Sequence, residues 1–232
     1  MSDLLLIPCP IAAQPPHQCL PAQVLQVIKD TKVFMVEDLR SARRFISSTK
    51  QGIVIDELEF FVLNKKTKFE AIYDFMCLHA KADIGVISEA GCPAVADPGS
   101  LAVAVAHQTQ RKVVPLVGPS SILLTLMASG FNGQSFVFHG YLPINQKERA
   151  GKIKQMEKEA FQKKQTQLFM DTPYRNNHVL ETILKTCSPQ TLLCIAVELT
   201  SEQEFVKTYS IEKWKKEKLD LHKKPVIFAL YF

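Results

Sequence analysis

Short apolar runs alternate with helically spaced apolar residues through the first half of the chain. Leu4 to Ile7 is an apolar run closed by Pro8-Cys9-Pro10. A polar, proline-rich loop leads to Pro21, which suits the first turn of a helix, and Val24, Leu25, Val27 and Ile28 continue on helical spacing. Val33 to Val36 reads as a second strand, Arg40 to Ser47 as a helix, and Ile53 to Leu58 as a third strand. Phe69, Ile72, Tyr73, Met76 and Cys77 share one face of a helix over Lys68 to Ala80. Ile84 to Ile87 is a fourth strand, Leu101 to His107 a helix, and Val113 to Val117 a fifth strand. Such alternation predicts a parallel sheet with helices on both faces, a Rossmann-like α/β domain over residues 1–117.

The pattern changes after Gly118-Pro119-Ser120-Ser121. A helix over Ile122 to Ser129 stops at Gly130, with Ser120 placed as its N-cap and Gly130 just past its end. Phe136 to Tyr141, Gln167 to Met170, Leu192 to Val197, Glu204 to Tyr209 and Pro225 to Phe232 read as strands. Asn145-x-x-Glu148 opens a helix that runs to about Lys164. Another helix follows Arg175 to Cys187, and a lysine-rich one covers Ile211 to Lys218. Fewer crossovers between the strands predict a mixed-sheet α/β domain over residues 118–232.

Ligands of a parallel sheet sit beyond the carboxyl ends of its strands. Three loops occupy that edge: Pro8-Cys9-Pro10, Glu37-Asp38, and Ser88 to Gly99. The last has the sequence SEAGCPAVADPG, with small residues, two prolines that stiffen it, and two glycines that permit close backbone approach. It is either a tight connection or one wall of a ligand site.

Composition narrows the classes. The 232 residues are 47% apolar and 22% charged, a globular balance. No apolar run reaches the roughly 20 residues of a membrane span, and the start of the chain lacks the basic region of a signal peptide. Six cysteines without a C-x-x-C pair, and six dispersed histidines, point to a reduced cytoplasmic protein with no metal site. The net charge of +5 is one-sided: residues 1–140 carry 12 basic and 12 acidic side chains, residues 141–232 carry 16 and 11. A basic second half suits a polyanion such as RNA, or a set of solvated lysine faces.

No G-x-G-x-x-G follows the first strand, and there is no G-x-x-x-x-G-K-[ST] or G-x-S-x-G. The pattern that is present resembles the tetrapyrrole methylase superfamily, and within it the bacterial 16S ribosomal RNA ribose 2′-O-methyltransferases. Seven segments match in order: Pro8-Cys9-Pro10-Ile11, Glu37-Asp38-Leu39-Arg40, Ser88 to Gly99, Gly118 to Ser121, Gly140 to Pro143, Asp171 to Arg175, and Ala196 to Thr200. Departures from that pattern are Ala12-Ala13-Gln14-Pro15 in place of Gly-Asn-Leu, Glu89 for Asp, Cys92 for Thr, and Lys224-Pro225 for Gly-Glu.

The resemblance implies a homodimeric methyltransferase of two domains with S-adenosylmethionine between them. It implies cofactor contacts from Pro8, Glu89, Ala90, Gly91, Cys92, Pro93, Ala96 and Asp97 of the first domain. From the second it implies Ser120, Ser121, Met170, Asp171, Val197, Glu198 and Leu199. The two serines, at a helix N-terminus, suit either plain capping or a bound carboxylate or hydroxyl. The implied acceptor is ribosomal RNA of the small subunit, with a tetrapyrrole-like small molecule, or RNA or ligand binding without catalysis, as the other readings. A ribose hydroxyl is weakly acidic and calls for a general base. Glu37 and Asp38 are the candidates, with Arg40 to orient them or bind a phosphate, against the alternative of an acidic helix start with its salt bridge. Arg175 either contacts substrate or braces the cleft.

Overall fold

The computed structural model describes residues 2–232, which form two units, the first ending at Ser120 and the second running from Ser121 to Phe232. In the first, the chain runs β1 (Asp3–Ile7), α1 (Ala22–Asp30), β2 (Val33–Val36), α2 (Leu39–Ser48), β3 (Glu59–Val62), α3 (Phe69–Leu78), β4 (Ile84–Ile87), α4 (Gly99–Gln108) and β5 (Lys112–Pro115). The strands form one parallel sheet in the order β3-β2-β4-β1-β5. Successive side chains of a strand point to opposite faces, and the core follows that period. Leu5, Ile7, Phe34 and Val36 pack with Val24, Ile28 and Ile46 of α1 and α2. Leu4, Val33, Met35, Ile84 and Val86 pack with Ile72, Met76, Ala102 and Val105 of α3 and α4.

The third strand differs from expectation. Residues Ile55–Glu57 form a 3-10 turn, and β3 lies just beyond it. Both stretches are apolar, but only the second carries aromatics that reach both faces of the sheet: Phe60 stacks on Phe34 (5.8 Å between centroids) and Phe61 meets Phe75 at a tilt (4.7 Å).

The second unit contains α5 (Ser121–Ser129), β6 (Phe136–Tyr141), α6 (Gln146–Lys163), β7 (Thr166–Met170), α7 (Asn176–Thr186), β8 (Leu192–Val197), β9 (Phe205–Ser210), α8 (Ile211–Trp214) and β10 (Val226–Tyr231). Its sheet is mixed, in the order β6-β7-β10-β8-β9. β6 is parallel to β7, and β10 is antiparallel to both β7 and β8. β6, β7 and β8 therefore point the same way and end at one edge. One face packs on α6, α7 and α8, with Phe169 stacked on Phe228 at 5.5 Å. The other face packs on Leu126 and Ile122 of α5.

Asn145 caps α6, its Oδ1 accepting from the N–H groups of Lys147 (2.9 Å) and Glu148 (3.2 Å). Lys164 ends the helix at φ 50°. The expected helix over Ile211 to Lys218 shortens to the single turn of α8. Ile211 and Trp214 are buried there, with Trp214 Nε1 donating to Leu193 O at 2.8 Å, whereas Lys215 to Lys218 offer no apolar face to hold a second turn. No helix among the described residues is long and apolar enough to cross a membrane.

Candidate active site

Because the strands of the first unit are parallel, β1, β2, β4 and β5 all open onto one edge, and the chain keeps pairing past their ends. Cys9 N–H donates to Gly91 O at 2.9 Å and Gly91 N–H to Cys9 O at 3.1 Å, so the loop after β1 is zipped to the loop after β4. Glu37 N–H donates to Ile87 O at 3.2 Å, tying in the loop after β2. The loop after β5 crosses Pro8 closely. A Cβ on Gly118 would stand 2.3 Å from the Cβ and Cγ of Pro8, so only glycine fits. Cys92 Sγ donates to Pro119 O at 3.4 Å and fills the space between the two loops.

The loop Ser88 to Gly99 is itself strained and braced. Gly91 (φ 69°), Ala94 (φ 68°) and Ala96 (φ 63°) are left-handed, a conformation that costs an alanine about 1 kcal/mol or more. Asp97 holds it: its Oδ1 accepts from Ala94 N–H at 3.0 Å and Gly99 N–H at 2.7 Å. Pro93 is buried, while Glu89, Ala90 and Ala96 are exposed. The loop thus presents small side chains and backbone on a fixed frame.

The acidic residues here differ sharply. Glu37 is half-buried and its Oε2 accepts from Glu89 N–H at 3.3 Å. Burial raises its carboxyl above the usual glutamate range; the Glu89 amide works against this, the Glu89 and Asp97 charges reinforce it, and Lys65 opposes it. Burial likewise raises Asp97, against the amides of Gly99, Ala94 and Val95. Asp38 is exposed and caps α2, accepting from the Ser41 hydroxyl at 2.6 Å and N–H at 2.7 Å, which hold its carboxyl low. Arg40 is exposed on the first turn of α2. Burial pushes the thiols of Cys9 and Cys92 up, so neither is a thiolate at neutral pH.

In the second unit the ends of β6, β7 and β8 share an edge. Met170 is half-buried and Asp171 buried. Asp171 Oδ1 accepts from Thr172 N–H and its Oδ2 pairs with Arg175 Nη2, each at 2.7 Å. The same Nη2 donates to Leu142 O (2.9 Å) and Pro143 O (3.2 Å), so Arg175 fastens the turn after β6 to the turn after β7. Burial raises the Asp171 carboxyl, with the Thr172 amide and the charges of Arg175 and Arg149 acting against it. Val197 ends β8 and is buried, as is Leu199 beyond it, and Glu198 (φ 48°) donates its N–H to Pro225 O at 3.0 Å. Asn176 Nδ2 donates to Lys224 O at 2.7 Å. The Lys224-Pro225 departure thereby buttresses this turn. Ser120 directly precedes α5, and Ser121 is its first residue, the Ser121 carbonyl accepting from Thr125 Oγ1 at 2.7 Å.

The structure thus brings Pro8, Glu37 and the Ser88 to Gly99 loop together on one edge of the first unit. It gathers Met170, Asp171, Arg175 and Val197 to Leu199 on one edge of the second. Lys65 escaped the sequence reading. It lies in the turn after β3, and placing the third strand too early hid the fact that this turn shares the edge.

No family model matches the chain. It is 29% identical over 188 residues to the ribosomal RNA small subunit methyltransferase I of Vibrio cholerae, covering 79% of this chain and 61% of that protein. To the protein of the same name from Buchnera aphidicola subsp. Schizaphis graminum it is 31% identical over 172 residues, covering 72% and 59%. The chain spans about three fifths of the length of these curated relatives. Among solved structures it resembles the methyltransferase CobJ, with a TM-score of 0.64 at 12% identity over 100% of this chain and 94% of that one. It also resembles the uroporphyrin-III C-methyltransferase of Thermus thermophilus solved with S-adenosylhomocysteine, with a TM-score of 0.59 at 14% identity over 99% and 97%. The chain therefore has the tetrapyrrole methylase fold and is, in sequence, a relative of the ribosomal RNA small subunit methyltransferase I proteins.

Proposed function

We propose that the chain is an S-adenosylmethionine-dependent methyltransferase whose acceptor is a ribose 2′-hydroxyl of small-subunit ribosomal RNA. One observation carries the reading. The braced, small-residue loop zipped to Pro8–Pro10 occurs on a chain whose sequence relatives are named ribosomal RNA small subunit methyltransferases. The residues fit the cofactor: Gly91 is left-handed, Ala90 and Ala96 are small and exposed beside it, and hydrogen bonds from Cys9 and Asp97 brace the loop. Preorganisation of this kind lowers the entropic cost of binding.

Pro8, Glu89 to Pro93, Ala96 and Asp97 would hold the cofactor from the first unit. In this reading Ser120 and Ser121 at the start of α5, and Met170, Asp171 and Val197 to Leu199 on the edge of the second unit, are further cofactor contacts. When bound, S-adenosylmethionine supplies an electrophilic methyl group on a sulfonium. Glu89, exposed and acidic, offsets positive charge at this edge. Glu37 is the general base in this reading. Its raised pKa brings it nearer neutrality, where a base is most effective against a weak acid. Asp38, engaged as a helix cap, is the poorer base, and Arg40 is exposed where it can meet a phosphate.

The same reading places two copies of the chain together in the cytoplasm. The six free cysteines suit a reducing compartment, and sedimentation at working concentration checks the pairing. The activity is tested by incubating the chain with S-adenosylmethionine and small ribosomal subunits that lack native methylation. Incorporation at a ribose, read as resistance of one linkage to alkaline cleavage, is expected. Cofactor binding by calorimetry with no methyl transferred to subunits would remove the RNA acceptor. No cofactor binding at all would remove the enzyme reading.

A further inference from the structure

The second unit carries a groove of about 820 Å³ that the proposed chemistry does not use. One wall is a stripe of α6 made of Gly151, Lys154, Lys158 and Phe161; facing it are the turn at Ser188 to Thr191 and the end of β10 at Tyr231 and Phe232. This is where β8 begins and β10 ends, the opposite edge of the sheet from Asp171.

Three features of the groove have no account within the fold. Phe161 is 69% exposed and meets Phe232, 39% exposed, edge-on at 5.8 Å. The aromatic surface continues through Tyr231, 4.4 Å from Phe232. Lys158 makes no ion pair among the described residues, whereas Lys154 lies 3.7 Å from Glu157, whose other oxygen accepts from Ser188 N–H and Thr191 Oγ1. Gly151 sits inside an 18-residue helix with nothing within 4 Å of where its Cβ would be. Glycine there weakens the helix relative to alanine, and no internal packing calls for it. It leaves the groove wall bare.

We infer that this groove binds single-stranded RNA, a base stacking on Phe161 and Phe232 while phosphates lie beside Lys158 and Lys154. Flat rings flanked by lysines, one of them, Lys158, with no ion pair among the described residues, are the general recognition chemistry of unpaired nucleotides. The unit that carries the groove also carries the chain's whole excess of positive charge. An acidic peptide would satisfy the lysines but leave the ring faces and the bare glycine unexplained. The inference rests on the RNA-acceptor reading and adds to it a second contact, remote from the methyl-transfer edge of this unit, that grips the substrate without touching the cofactor.

The test measures binding of a short fluorescent uridine-rich RNA and of a glutamate-rich peptide of equal length by anisotropy, with S-adenosylmethionine affinity followed by calorimetry. In the full chain, Phe161→Ala is expected to weaken RNA binding about tenfold. Lys158→Glu should weaken it and reduce the slope of log affinity against log salt by about one. Gly151→Leu should weaken it while raising the melting temperature, which no folding defect can do. All three should keep wild-type cofactor affinity. RNA affinity unchanged in all three variants overturns the assignment, as does wild-type binding of the peptide but not the RNA. Loss of cofactor binding in the wild type would instead strike the methyltransferase reading and leave the RNA result to stand by itself.

Discussion

Glu37 and Asp38 are adjacent in sequence yet do opposite work. Glu37 turns to the Glu89 amide and is partly desolvated, and Asp38 turns out to cap α2. If Glu37 is the base, Glu37→Gln lowers turnover by about 10²- to 10⁴-fold with cofactor affinity retained. The wild-type rate then rises with pH through the raised Glu37 pKa, and the variant loses that limb. Stability runs the other way. A carboxyl whose folded pKa is raised binds more protons folded than unfolded, so wild-type stability falls as pH climbs from the usual glutamate value through the raised one. The melting temperature of Glu37→Gln relative to wild type should therefore improve across that window and match it below. Gly118 tests the loop crossing. With Pro8 rigid beneath it, Gly118→Ala should cost about 1–3 kcal/mol in urea denaturation and weaken S-adenosylmethionine binding. Arg175 tests the other edge. Removing it leaves Asp171 buried and unpaired and frees the turn at Leu142–Pro143, so Arg175→Ala should lose about 3 kcal/mol or more.

Elements form where local and tertiary preferences agree. α6 reads clearly in the sequence because Asn145 caps it and Ile153, Met156 and Ala160 recur on one buried stripe. Asn145→Ala should cost about 1 kcal/mol, measured by chemical denaturation. The third strand was legible only as an apolar stretch. Ile53 to Leu58 and Glu59 to Leu63 are both plausible strands, and the choice was made by Phe34 and Phe75, which lie 26 and 14 residues from their partners Phe60 and Phe61. With that strand misplaced, Lys65 could not be recognised as a neighbour of Glu37. The lysine-rich segment after Ser210 has good helix formers, but a helix needs a face to bury, and only Ile211 and Trp214 provide one.

At the level of the molecule, two sheets of different construction each gather short loops on one edge, and the tetrapyrrole methylase fold supplies both. A ligand that binds the native chain alone stabilises it by mass action. S-adenosylmethionine at a hundred times its Kd should add about 2.7 kcal/mol, read as a rise in melting temperature, and Glu37→Gln should show the same rise. The excess positive charge belongs to the second unit, so RNA binding should be strongly salt-dependent while cofactor binding is much less so.

The alternation of elements, both buried faces of the first sheet, the mixed character of the second and the loops at the strand ends were all written in local sequence. Periods of 2 and 3.6 residues, prolines and helix caps act over a few residues at a time. The rest depended on residues far apart in the chain. That Cys9 pairs with Gly91, that position 118 must be glycine because Pro8 lies beneath it, and that Glu37 rather than Asp38 faces the loop are matters of which backbones meet. Arg175 binds the turn at Leu142–Pro143, and Phe161 stands beside Phe232, for the same reason. Contacts across 30 to 110 residues arise from packing of the whole sheet, and no local pattern encodes them.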